Sequence, residues 1–168
     1  ENGNPVAQRD ASGLKTAYTY TSRNQVETVS VNGKLLERYL YDHKGNIIER
    51  QSVTETEHVL DRIIRYKYDS LGQLRQVNYP IGEERYDYDS VGNRITVTDG
   101  RNNTTRYRYN SLGWLISITD PLFNTTRYQY DFNGNQVKRI ATNGLETKMQ
   151  YDELNRLIQR TDAQNYRT

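Results

Sequence analysis

Asp99-Gly100-Arg101-Asn102-Asn103-Thr104-Thr105-Arg106-Tyr107-Arg108-Tyr109-Asn110-Ser111-Leu112-Gly113 and Asp120-Pro121-Leu122-Phe123-Asn124-Thr125-Thr126-Arg127-Tyr128-Gln129-Tyr130-Asp131-Phe132-Asn133-Gly134 are two stretches of one chain, 21 residues apart, with one skeleton. Their Tyr-x-Tyr core recurs outward in both directions. It stands at Tyr18/Tyr20, Tyr39/Tyr41, Tyr66/Tyr68, Tyr86/Tyr88, Tyr107/Tyr109 and Tyr128/Tyr130, with Met149/Tyr151 as a further copy. The second members are separated by 21, 27, 20, 21, 21 and 21 residues, and the long interval fits one insertion near 52–62. A fixed period of this size is the signature of a repeat architecture.

The residues after each second tyrosine recur as well: Tyr41-Asp42-His43-Lys44-Gly45-Asn46, Tyr68-Asp69-Ser70-Leu71-Gly72-Gln73, Tyr88-Asp89-Ser90-Val91-Gly92-Asn93. Asp or Asn at the first position can bond backbone amides ahead of it, and Gly three residues later takes a left-handed conformation at little cost. The motif is therefore a tight turn. Alternating runs flank it. Ile95-Thr96-Val97-Thr98 and Ile116-Ser117-Ile118-Thr119 are expected to put apolar residues on one face and hydroxyls on the other. A second set of turns is read at Asn32-Gly33, Pro80-Ile81-Gly82, Asp99-Gly100 with Asn102-Asn103, Asp120-Pro121 with Asn124, and Asn143-Gly144; Asn-Gly between alternating runs is a strong hairpin signal. The expected fold is all-β: tandem antiparallel β-hairpins in a curved, twisted sheet. Residues 1–17 form a leading partial repeat and 18–168 about seven tandem ones, the first degenerate at Tyr20-Thr21-Ser22-Arg23-Asn24. A lone hairpin is marginal in water, whereas stacked hairpins bury their Tyr, Ile and Leu faces on one another. The positions expected to carry the structure are Tyr41, Asp42, Gly45, Tyr68, Asp69, Gly72, Tyr88, Asp89, Gly92, Tyr109, Gly113, Tyr130, Asp131, Gly134, Tyr151 and Asp152.

Composition agrees. Leu, Ile, Val and Phe make up only about a fifth of the chain, a level near that of disordered segments. The 15 tyrosines change that judgement, because each ring buries an apolar face while its hydroxyl stays bonded. A net charge of +2 from 23 basic and 21 acidic residues, with no block of one sign, argues against nucleic acid as the main partner. No apolar run is long enough for a helical membrane span. Cysteine is absent, so thiolate chemistry and disulfides are excluded. The chain opens Glu1-Asn2-Gly3 without Met or a signal-peptide pattern and stops at Thr168 in mid-pattern, so it is expected to be a piece of a longer protein.

Few residues suggest chemistry. His43 lies in a turn and His58 in the insertion, without the clustered partners of a metal or catalytic site. The Asp series echoes part of a calcium loop but lacks the spaced third ligand and distal Glu, so turn formation is the main reading and weak calcium binding the remainder. No catalytic residue, metal site or cofactor is implied. The Arg-Tyr interleaving of 106–109 and 127–130 fits cross-strand packing, and leaves room for carbohydrate contact. Asn103-Thr104-Thr105 and Asn124-Thr125-Thr126 match the glycosylation pattern at equivalent turn positions. Trp114 is either a packing variant or an exposed contact point. The acidic Thr54-Glu55-Thr56-Glu57 reads as a longer hairpin loop, with room for a partner contact.

Tyr-Asp-x-x-Gly-Asn/Arg at this spacing resembles the YD repeats of the Rhs (rearrangement hotspot) family, and the resemblance covers roughly Tyr18 to Thr168. Tyr151-Asp152-Glu153-Leu154-Asn155-Arg156-Leu157 is also close to the family form. The resemblance implies a hollow β-shell or cocoon. In bacterial polymorphic toxins such a shell encloses a variable C-terminal toxin domain until delivery to competitor or host cells. It further implies a secreted or cell-surface protein whose partners are the rest of the shell and the enclosed toxin. Seven repeats cannot close a container, so the chain would be a wall segment. Exposed strand edges would favour strand swapping or a homo-oligomer. Some family shells carry an aspartyl self-cleavage block; Asp120-Pro121, followed by Leu122-Phe123, sits instead at an ordinary turn, and no catalytic role is carried over. The rival expectation is an extracellular carbohydrate- or protein-binding YD module, wall-associated or teneurin-like.

Overall fold

A computed structural model describes residues 4–53 and 62–164. Among these residues there is no α-helix; the chain is built of short antiparallel strands. It divides into two compact units, Glu1–Arg85 and Tyr86–Thr168.

The first unit contains β1 (Ala7–Arg9), β2 (Lys15–Tyr20), β3 (Val26–Val31), β4 (Lys34–Tyr41), β5 (Ile47–Ser52), β6 (Ile63–Tyr68) and β7 (Leu74–Asn78), and the start of β8 (Glu83–Tyr88). The second contains the end of β8 and then β9 (Arg94–Asp99), β10 (Thr104–Tyr109), β11 (Leu115–Thr119), β12 (Thr125–Tyr130), β13 (Gln136–Ile140), β14 (Glu146–Tyr151) and β15 (Leu157–Thr161). Within each unit the strand order is the chain order. Asn32-Gly33 closes a two-residue turn with both φ positive, 49° and 81°, and Val31 opposite Lys34, the geometry that Asn-Gly favours. Of the insertion expected near 52–62, Ser52 ends β5 and the Val53 amide donates to the Leu36 carbonyl at 2.7 Å. His58 and Thr54-Glu55-Thr56-Glu57 lie outside the described residues.

One irregularity recurs and corrects the simple alternation expected of the return strands. The register shifts just before the second tyrosine in every hairpin whose pairing is resolved: at Thr19/Tyr20, Leu40/Tyr41, Lys67/Tyr68, Arg108/Tyr109, Gln129/Tyr130 and Gln150/Tyr151. Tyr107 faces Ile118, but Tyr109 faces Leu115. The extra residue, Ile116, leaves the tyrosine face, so Ile116 and Ile118 do not share a side. A β-bulge of this kind unpairs one residue and bends the strand toward the turn.

Burial is shallow throughout. Only Val77 and Tyr86 are fully buried among the described residues, at 3% and 8% exposure. On β10, Thr105, Tyr107 and Tyr109 are half-buried while Arg106 and Arg108 are exposed, which is the period-2 pattern of a sheet with one covered face.

Candidate functional site

The feature repeated most faithfully is the turn together with the tyrosine before it. At Asp42 the main chain closes on itself: the Asp42 amide donates to the Asn46 carbonyl at 2.9 Å and the Gly45 amide to the Asp42 carbonyl at 3.2 Å. The carboxylate then fills the loop. Its Oδ1 accepts from the Lys44 amide at 2.8 Å and the Asn46 amide at 2.9 Å, and its Oδ2 from Asn46 Nδ2 at 2.9 Å. Asp89 does the same with Val91 and Asn93, and Asp131 with Asn133 and Asn135. Asp69 uses Leu71, Gln73 and Arg75, Asp152 uses Leu154 and Arg156, and Asn110 bonds the amides of Leu112 and Trp114. The fourth turn position is left-handed in each case: φ is 93° at Gly45, 81° at Gly72, 95° at Gly92, 79° at Gly113 and 85° at Gly134, with Asn155 at 60° in the last copy.

These bonds act on the ionised carboxylates. Asn46, Asn93 and Asn135 hold Asp42, Asp89 and Asp131 below the ordinary carboxylate range, aided by the turn amides. The Arg156 amide and guanidinium do so for Asp152. At Asp69 desolvation works in the opposite direction, and the Gln73 amide and Arg75 guanidinium outweigh it.

The same device closes two of the opposite hairpin ends, at Asp99 and Asp120, where the sequence marked turns but not their filling by the carboxylate. Asp99 Oδ1 accepts from the Arg101 and Asn103 amides and Oδ2 from Asn103 Nδ2; Asp120 repeats this with Leu122 and Asn124. The left-handed residues are Asn102 (φ 64°) and Phe123 (φ 65°), not Gly100. The signal was legible: Asp-x-x-Asn-Asn and Asp-x-x-Phe-Asn have the spacing of Asp-x-x-Gly-Asn. Phe123 is a bulky residue in a conformation such residues avoid, and it is largely exposed. The two asparagines of the glycosylation pattern spend their Nδ2 groups on these carboxylates, at 2.9 Å each.

The second tyrosine completes the unit. Its hydroxyl donates to a main-chain carbonyl on the preceding strand: Tyr41 to Val26 (2.6 Å), Tyr68 to Ile47 (3.0 Å), Tyr109 to Arg94 (3.1 Å), Tyr130 to Leu115 (2.8 Å) and Tyr151 to Gln136 (3.1 Å). The separation along the chain is 15 residues, and 21 for Tyr68, whose hairpin follows the insertion. Each acceptor lies beyond the end of the backbone ladder. Leu115, for example, is two residues past Ser117, the last residue of β11 paired to β12. The phenol thus satisfies a carbonyl that the splayed strands leave open. Burial holds the hydroxyls of Tyr41, Tyr68, Tyr109 and Tyr130 above the usual phenol range.

Successive turns also touch. Trp114 lies over Gly134, where an added Cβ would meet the indole at 3.0 Å, and its ring tilts against Tyr130 at 5.5 Å between centroids. Trp114 is thereby a packing residue, which decides between the two readings its sequence position left open. Asn135 Nδ2 reaches Asn155 Oδ1 at 2.7 Å, and in the first unit Gln25 Nε2 reaches the Gly45 carbonyl at 3.2 Å. His43 contributes its carbonyl to Arg23.

The family model described as RHS Repeat matches residues 68–104, 88–122 and 109–144, windows offset by one hairpin. No curated protein sequence matches the chain. Solved structures do. A crystal structure of TcdB2-TccC3-TEV aligns with a TM-score of 0.74 at 23% identity over 93% of this chain. TcdB2-TccC3 without its hypervariable C-terminal region aligns with 0.74 at 16% identity over 95%. The Photorhabdus luminescens Tc holotoxin pore with a TccC3 mutation aligns with 0.64 at 18% identity over 95%. The likeness is one of fold, and this chain spans about a tenth of the length of each of those chains.

Proposed function

We propose that this chain, whose residues 68–144 match the RHS-repeat family model and whose fold is that of the aligned shell structures, is a wall segment of a shell that encloses a C-terminal toxin domain and holds it until delivery to competitor or host cells. Its role is mechanical and non-catalytic, in an exported protein. The repeats run over 18–168, and Tyr41, Tyr68, Tyr88, Tyr109, Tyr130 and Tyr151 serve it with their following turns. The observation that carries this reading is the tyrosine hydroxyl tied to the carbonyl of the preceding hairpin, as Tyr130 is to Leu115. That bond lets a sheet one layer thick lengthen hairpin by hairpin without leaving open carbonyls where strands splay. Such a wall excludes proteases and water by continuity, and its strength does not depend on a large core.

The test uses the full-length protein that contains this segment. Limited proteolysis should leave the domain downstream of the repeats intact, and Tyr109→Phe combined with Tyr130→Phe should make it cleavable at lower denaturant. A downstream domain cut at the same rate with and without the repeats would rule the enclosure out.

A further inference from the structure

The balanced charge of the sequence is sorted by the fold. In the second unit Asp89, Asp99, Asp120, Asp131 and Asp152 are all consumed by turns, whereas cations remain on the strands. Three of these share one patch. Arg108 is opposite Ser117, and Ser117 is opposite Arg127; alongside, Arg106 is opposite Thr119, and Thr119 is opposite Thr125. Paired residues share a face, so these six side chains form a grid two rows deep across β10, β11 and β12. Arginine occupies three corners and hydroxyls the centre.

All three arginines are exposed, and none has a hydrogen-bond or ion-pair partner among the described residues. Some strand cations elsewhere are answered, Arg65 by Glu49 at 2.9 Å and Lys138 by Glu146 at 2.6 Å; what sets this patch apart is that three unanswered ones share one face within two rows. The neighbouring carboxylates are engaged by other groups. Asp87 accepts from Thr96 at 2.8 Å, and Asp89 is filled by its own turn. Neighbouring strands lie about 4.8 Å apart and same-face residues about 7 Å apart along a strand. Arg106, Arg108 and Arg127 are therefore close enough for their long side chains to converge above Ser117. A concavity of about 540 Å³ opens beside Arg106, Arg108 and Thr119, lined also by Asp89, Thr96 and Tyr107; Ser117 and Arg127 lie outside its lining.

We propose that this grid binds a tetrahedral oxyanion, a phosphate or sulfate group. Guanidinium forks match two oxygens each. Ser117 donates to a third, and the anion relieves the repulsion among three cations placed side by side. Thr119 and Thr125, hydrogen-bonded to each other at 3.0 Å, hold the floor of the second row.

The 168-residue chain can be titrated at low ionic strength with inorganic phosphate, following heat and the arginine Nε–Hε resonances. Sulfate, glucose 6-phosphate and acetate form the other arms. Saturable binding of a single phosphate or sulfate is expected, with acetate at least tenfold weaker. Arg108→Gln with Arg127→Gln should lower affinity tenfold or more, while Arg139→Gln, opposite Tyr128 on the other face, should leave it unchanged. Tighter binding of glucose 6-phosphate than of phosphate would assign the group to a sugar, and equal binding to the free ion. Thermal midpoints without anion should be equal or higher in the double variant, which separates lost binding from lost fold. Equal losses in Arg139→Gln and in the double variant, or no saturation, would overturn the site.

Discussion

The hairpins around β4–β6 and those around β10–β12 share a backbone and differ in what they place on it. Both have the bulge before the second tyrosine, the carboxylate- or amide-filled turn, and the phenol bonded to the preceding strand. On β4, however, Glu37 accepts from both Arg50 and Tyr39, and on the other face Glu49 holds Arg65. Arg50 stands opposite Tyr39, where the later repeat has Ile118 opposite Tyr107. The Arg50 guanidinium keeps Glu37 ionised below its ordinary range, while burial, with the Glu37 carboxylate adding to it, pushes the Tyr39 phenol up. In β10–β12 carboxylates are confined to turns and the strands carry unanswered arginines. The architecture resides in the turn and the tyrosine, which leaves the strand faces free to vary.

The largest expected difference between the two regions is their response to acid. A carboxylate with a depressed folded value contributes stability above its unfolded value, and that contribution is lost as pH falls through the folded one. Five turn carboxylates of the second unit are depressed, against Asp10, Asp42 and Asp69 with Glu37 in the first. Below about pH 4, near the ordinary carboxylate value, the second unit should lose stability more steeply. Trp114 is the only tryptophan, so its fluorescence follows that unit while far-ultraviolet circular dichroism follows both. Coincident acid transitions by the two probes would count against the turn carboxylates as the cause. At the alkaline end the bonded phenols reverse the sign. Their values are raised, so the stability they give is present below about pH 10 and lost as pH rises through the folded values.

Next in size is a glycine pair. Gly134→Ala meets both a left-handed φ of 85° and the Trp114 ring, and should cost roughly 2–5 kcal/mol. Gly72→Ala has a similar φ of 81° but open space around the new methyl, and should cost about 1–2 kcal/mol. Urea midpoints would compare them. Equal costs would mean that turn-to-turn contact contributes nothing.

Much of this was legible in the sequence because the period is short and the turn chemistry local. Tyr-Asp-x-x-Gly marked where hairpins turn, and Asn32-Gly33 announced its own turn type. What escaped depends on relations between strands. The bulge that removes Ile116 from the tyrosine face has no signature in Ile-Ser-Ile-Thr, which reads as plain alternation. The bond from Tyr130 to Leu115 joins residues 15 apart, and no local pattern names the acceptor. Charge misled most. Counted along the chain, acids and bases are interspersed. In the fold, Asp89, Asp99, Asp120 and Asp131 fall in turns, while Arg106, Arg108 and Arg127 of β10 and β12 fall on one face.

The tyrosine bonds offer a smaller and sharper comparison. Tyr130→Phe and Tyr68→Phe each remove a hydroxyl and leave a carbonyl open, at Leu115 and at Ile47. Each should cost about 1 kcal/mol by urea unfolding. Equal costs are expected although one bond spans 15 residues and the other 21, because both are made in the same folded geometry. A negligible cost at Tyr68 alone would mean that the insertion loosens its hairpin.

The smallest effect is the one that separates the strand faces most directly. Arg65→Gln removes a largely exposed ion pair with Glu49, worth at most about 1 kcal/mol, and the loss should fade as salt screens it. Arg127→Gln removes a cation two strands from Arg108 with no carboxylate answering either, so stability at low salt should hold or rise slightly. The two substitutions are chemically identical and sit at the same repeat position, immediately before the first tyrosine. Opposite signs at low salt, converging at high salt, would show that the difference lies in the charges around each arginine and not in the backbone beneath it. A loss of the same size and sign at both positions would place the effect in side-chain packing on the sheet and remove the charge contrast between the two regions.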